Sequence, residues 1–167
     1  MMKKRMLLLG FVLCILLTTG CHLQNAESSE YENRVYYICQ GGEDELPWRI
    51  VYETRNFGDI GSKEECVLVA EALRNPTKAG CRSPLPQDVS IESVTIASNI
   101  AFVSLSEGYG AMEEYARSLA VACISLSLLQ VDGVEYVSIV GDNSNTSPLY
   151  DEYYTLDNVL VDHDMIS

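Results

Sequence analysis

Between residues 34 and 142 the spacing of apolar positions changes several times, and each change marks an element. Residues 35–39, Val-Tyr-Tyr-Ile-Cys, form a short apolar run that predicts a strand. Gly41 and Gly42, followed by three acidic residues, predict a turn. Residues 46–54 alternate loosely and predict the second strand of a hairpin. From Ser62 the period lengthens. Cys66, Val69, Ala70 and Leu73 recur at helical intervals, and Ser62 with Glu65 has capping-box spacing. Asn75-Pro76 stops that helix. Strands over 89–97 and 100–105 meet at a tight turn, Ser98-Asn99. A long helix over 112–130 ends at Asp132-Gly133. A strand over 135–140 is closed by Gly141, and 153–161 offers a candidate last strand beyond a polar loop. The order ββαββαβ predicts one small α+β domain, with two helices packed on one face of a mixed sheet.

The long helix is apolar nearly all round. Tyr115, Leu119, Ala122, Cys123 and Leu126 line the face expected to meet the sheet. Val121, Ile124 and Leu128 line the other. That stripe is a candidate interface, unless the core face is reversed or the C-terminal tail covers it.

The first 20 residues follow a different logic. Lys3, Lys4 and Arg5 precede a twelve-residue apolar run, 6–17, and then Thr18, Thr19 and Gly20. The run is too short to span a bilayer, so the layout predicts a secretory signal. Cys21 follows Gly20 directly, which resembles a bacterial lipobox whose cysteine becomes the lipidated first residue. The expectation is a signal peptide over 1–20, and a membrane lipid anchor at Cys21 on the extracytoplasmic face. Each buried acyl methylene contributes roughly 0.8 kcal/mol, and stable anchoring takes more than one chain. Residues 21–33 are polar without a period and read as a flexible tether, 34–142 as the domain, and 143–167 as an acidic extension.

Charge narrows the function. Without residues 1–20 the chain keeps 24 acidic residues and eight basic ones, a net charge of −16. Such a surface repels phosphate backbones and excludes nucleic acid as a partner. Four cysteines remain after Cys21, with no CxxC spacing that would point to zinc. Cys39, Cys66 and Cys123 read as buried thiols. The alternative is a bridge in an oxidising compartment, with Cys66 and Cys81, on either side of one short helix, as the candidate pair.

Catalytic chemistry finds little to build on. The two histidines, His22 and His163, both lie outside the expected domain. A nucleophile–histidine pair would have to come from the chain ends. Glu64/Glu65 and Glu113/Glu114 fall in first helical turns, where they meet the positive end of the helix dipole. Gly108-Tyr109-Gly110 precedes a helix, but Glu113 and Glu114 would face any bound phosphate. Asp142-Asn143-Ser144-Asn145 lacks the glycine and distal glutamate of a calcium loop. The expectation is a protein that is not an enzyme and has no catalytic, cofactor or metal residues.

The segment from Leu73 to Tyr109 resembles the GerMN domain of sporulation and spore germination proteins. The matching words are Leu73-Arg74-Asn75-Pro76, Ser83-Pro84-Leu85-Pro86, Val103-Ser104-Leu105-Ser106 and Gly133-Val134, in family order. Asn75 stands where the family usually has glycine, and asparagine tolerates left-handed backbone. The resemblance implies a fold similar to ring-building motifs, no catalytic residues, and work done by contact with other envelope or sporulation proteins. A homo-oligomer is among its implications. The expectation is therefore a lipid-anchored interaction module; the alternative is a solute-binding or sensor-kinase-associated envelope lipoprotein.

Overall fold

The computed structural model describes residues 32–41, 48–141 and 153–159, all within one compact unit, Tyr31–Ser167. The signal, Cys21, the tether as far as residue 31, both histidines and most of the C-terminal extension lie outside the described residues, whereas Glu32 and Asn33, expected at the end of the tether, open the first strand.

The first hairpin pairs β1 (Glu32–Gln40) with β2 (Trp48–Asn56), antiparallel, from Glu32 opposite Asn56 to Gln40 opposite Trp48. Residues 35–39 do not alternate because both faces of β1 are covered. Val35 and Tyr37 enter one hydrophobic core, and Tyr36 and Ile38 enter a second. Successive side chains of a strand point to opposite faces, so a strand between two cores must be apolar at every position. Helix α1 (Ser62–Ala72) follows, and then β3 (Cys81–Arg82), which pairs with β1 at Ile38 and Cys39.

The second sheet has the order β4-β5-β6-β7. β4 (Ile91–Ala97) and β5 (Ile100–Leu105) are antiparallel and joined at Ser98, whose φ of 58° is left-handed. A 3₁₀ turn, Glu107–Ala111, leads to α2 (Glu114–Leu128). β6 (Tyr136–Gly141) returns parallel to β5, and β7 (Tyr153–Tyr154) pairs antiparallel with β6. The carbonyl of Asn99 accepts hydrogen bonds from the backbone N–H groups of Glu135 and Tyr136, pinning the β4–β5 turn to the start of β6.

The α+β class is as expected, and α1 against β4 and α2 against β6 give two helices on one face of a mixed sheet. The difference is that the first hairpin does not join that sheet. With β3 it forms a separate three-stranded sheet, β2-β1-β3, laid against α2. The tail contributes a two-residue strand and then a turn, where 153–161 suggested a longer strand.

The start of α1 also differs from the sequence reading. Its N-cap is Gly61, with no side-chain cap, and the Gly61 carbonyl accepts the N–H groups of Glu64 and Glu65. Glu65 instead accepts a hydrogen bond from the Asn33 side chain on β1. The capping-box spacing of Ser62 and Glu65 is thus used for a tertiary contact.

Candidate functional site

Helix α2 has no bare apolar face. Ala120, Ile124 and Leu128 pack into the first core with α1 and the second sheet. Leu119, Ala122 and Cys123 pack into the second core with Tyr36, Ile38 and Ile50. Ile124 is 0% and Leu128 1% exposed, so these two members of the expected interface stripe are core residues. The reason is the separate first sheet: α2 lies between two layers and needs apolar side chains towards both. Val121 alone of the three is half-buried.

Val121 lines a cleft of about 680 Å³. One wall is Glu114, Arg117, Ser118 and Val121 of α2, and the other is Tyr153, Tyr154, Asn158 and Val159 from β7 and the turn after it. A second cleft, of about 520 Å³, lies between the 83–87 loop and the start of α2. Pro84, Leu85, Met112 and Ala116 give it an apolar lining, with Arg82 and Glu113 at its walls. Arg82 also stacks over the Trp48 ring, 4.3 Å from its centroid.

The edge of β1 is sealed by α2. The backbone N–H of Tyr36 donates to Ser127 Oγ at 2.9 Å, and that of Arg34 donates to Gln130 Oε1 at 3.3 Å. Gln130 Nε2 donates in return to the Arg34 carbonyl at 2.8 Å. Further along the same edge, Ile38 and Cys39 pair with β3, and the Gln40 N–H donates to the Gly80 carbonyl. Unpaired strand edges invite pairing with other chains; here helix side chains occupy the edge.

The cysteines resolve differently from the expectation. The disulfide joins Cys39 and Cys81, not Cys66 and Cys81. Cys39 and Cys81 face each other across the β1–β3 pair, whereas Cys66 is turned into the core on α1. Proximity in sequence suggested Cys66; strand pairing over 42 residues decided otherwise. Cys66 and Cys123 are buried free thiols. Burial, and secondarily the Glu65 charge, push Cys66 up to about 12, and burial also raises Cys123. Neither is poised as a nucleophile, which needs the thiolate.

One polar cluster is buried. Glu53 on β2 is 8% exposed. Its carboxylate accepts from the Thr77 N–H and hydroxyl, the Lys78 N–H and Arg55 Nη2. Arg55 Nη2 also donates to the Asn75 carbonyl, and the Tyr37 hydroxyl donates to the Ala72 carbonyl. Burial alone would raise the Glu53 pKa. The hydrogen bonds from Thr77 and Lys78 and the Arg55 charge outweigh it, leaving the carboxyl below its ordinary value. The partners of Glu53 belong to the loop after α1 or to β2, and Tyr37 adds β1 and the end of α1, so the cluster clamps the fold.

The remaining motifs are structural in their surroundings. Glu64 and Glu114 sit in the first turns of α1 and α2. Gly108 lies so close to residues 88–89 that an added Cβ would meet Val89 Cγ2 at 3.0 Å and the Asp88 carbonyl at 3.1 Å. Close packing, with no phosphate invoked, accounts for glycine there.

Sequence reasoning missed one surface. On the second sheet, Ala101, Val103, Leu105 and Val137 point into the core, so Ile100, Phe102, Tyr136 and Val140 point away from it. Tyr153 on β7 joins them, its ring edge-on to Tyr136 with centroids 6.1 Å apart. The signal was present in residues 100–105: a strand apolar at both parities has two apolar faces, and only one can face the helices.

Residues 34–146 match the family model Germane, described as sporulation and spore germination. Among solved structures, the chain is similar to the tandem GerMN domains of the sporulation protein GerM from Bacillus subtilis. That likeness has a TM-score of 0.54 at 19% identity, over 74% of this chain and 44% of that one. The first GerMN domain of the same protein gives 0.52 at 17% identity, over 67% of this chain and 83% of that one. The chain thus spans less than half of the tandem structure, and at these identities the likeness concerns the fold. No curated protein matches the chain in sequence.

Proposed function

The chain belongs to the Germane family of sporulation and spore germination domains, and from that premise we propose that it is a membrane-anchored extracytoplasmic lipoprotein whose domain binds and positions other envelope proteins during sporulation or germination. The observation that best supports this is the family match itself, which covers nearly all of the described fold and begins shortly after Gly20-Cys21. The buried thiols and the structural carboxylates fit a domain that works by contact without turnover. Acyl chains on Cys21 would hold the domain at the membrane surface through a short polar tether.

Two measurements test the proposal. Fatty-acid labelling should mark the parent and spare Cys21→Ala; label retained by the variant overturns the anchor. Deleting the gene should lower the yield of germination-competent spores, and Cys21→Ala should fail to restore it. Normal spore yield and germination without the protein overturn the role.

A solute-binding role has one observation in its favour, the 680 Å³ cleft with its tyrosines and Arg117. A small-molecule panel that raises the melting temperature of the parent but not of Arg117→Ala would favour that role over the scaffold.

A further inference from the structure

The outer face of the second sheet is a broad uncharged surface. Ser93 and Thr95 on β4, Ile100 and Phe102 on β5, Tyr136 and Val140 on β6, and Tyr153 on β7 share it. Tyr136 is 37%, Val140 47% and Tyr153 36% exposed. Both helices lie on the opposite face, and among the described residues no element packs over this one. Sheets that face water normally carry polar or charged side chains there. An exposed cluster of large apolar groups rimmed by polar ones marks a contact surface.

Among the described residues, the charges at both ends of the face are acidic. Glu135 borders it at the β4–β5 turn, and the exposed Glu92 and Glu107 lie at the other end of that strand pair. From Ser83 to the last residue the chain has 13 acidic side chains and a single Lys or Arg, Arg117. Arg117 lies on α2 and lines the cleft described above, not this face. The other cations of the domain lie before Ser83, several of them on the first sheet or in its stacked pairs with Tyr52 and Trp48.

Resting on the interaction role proposed above, we infer that this face docks a protein surface with an apolar centre ringed by Lys and Arg. Apolar contact supplies the burial, and the acidic rim selects the sign of the partner. A second copy is disfavoured, because face-to-face pairing would bring Glu92, Glu107 and Glu135 of each copy against carboxylates of the other. An anionic membrane surface is disfavoured for the same reason.

The test is site-specific photo-crosslinking of the full-length chain in its own cells. The crosslinking residue replaces Tyr136, or Glu71 on the exposed side of α1 as a control, and the joined peptide is identified. The expected adduct from position 136 maps to an apolar segment flanked by Lys or Arg, at a yield at least tenfold above that from position 71. Val140→Lys and Val140→Glu are then compared at the same crosslinking position. Both remove the same apolar contact from an exposed site, so equal melting temperatures are the control. Lys should lower the yield at least tenfold and Glu less than threefold. Equal loss in the two variants overturns the charge rule. An adduct with a second copy, with an acid-flanked segment, or from position 71 alone overturns the docking face and leaves the interaction role standing. No adduct from either position overturns the interaction role and this inference together.

Discussion

Glu53 and Thr77 are joined twice: the Glu53 carboxylate accepts both the Thr77 backbone N–H, at 2.8 Å, and its hydroxyl, at 2.6 Å. The pair lies 24 residues apart in sequence and ties the second strand to the loop that follows α1. Because the folded carboxyl titrates below its ordinary value, its stabilisation is fully present above the ordinary glutamate value of the unfolded chain. It is lost as pH falls through the lower folded value. Glu53→Gln should cost about 1–3 kcal/mol at neutral pH. It should also flatten the acid limb of stability, and urea melts of parent and variant between neutral and acid pH check both. An unchanged acid limb in the variant would remove Glu53 from the account.

Leu128→Glu should abolish cooperative folding, because it places a charge at a position 1% exposed among apolar neighbours. Val121→Glu, at the half-buried rim of the cleft, should melt within a few degrees of the parent. Thermal melts of the two side by side separate core from surface on α2.

Peptide mapping without reduction should recover Cys39 linked to Cys81 and find Cys66 and Cys123 free. Under native conditions near neutral pH both free thiols should resist alkylation, since each is buried with a raised pKa. Reduction should lower stability by about 2–4 kcal/mol. Rapid native alkylation of Cys66 would contradict its place in the core.

Two serines on α2 should respond in opposite ways. Ser127→Ala leaves the buried Tyr36 N–H without its acceptor and should cost about 1–3 kcal/mol. It should also speed hydrogen exchange at Tyr36. Ser125 is fully buried, and its hydroxyl has no hydrogen-bond partner among the described residues. Ser125→Ala should therefore be neutral or stabilising. Paired denaturant melts check the contrast.

The sequence by itself determined the long elements and their order, but not the two-residue β3, which exists only through its pairing with β1. Apolar spacing located both helices, the β4–β5 hairpin and the strand after Gly133-Val134, because those signals are local: 3.6-residue or two-residue periods, Asn75-Pro76, Ser98-Asn99 and Asp132-Gly133. It also showed that α2 is apolar nearly all round, which is a property of composition and spacing alone. What it did not carry was the assignment of faces. Whether Ile124 and Leu128 meet a partner or a second layer depends on where the first hairpin packs, and nothing local in residues 32–56 states that it forms its own sheet. The disulfide is of the same kind. Cys81 lies nearer in sequence to Cys66, yet pairing of β3 with β1 places it opposite Cys39. The Glu53 clamp and the face of the second sheet that no described element covers were likewise decided by contacts between distant segments. Period is written in neighbouring residues, whereas layer order, bridge partners and exposed faces are settled only when distant parts of the chain compete to cover the same apolar surface.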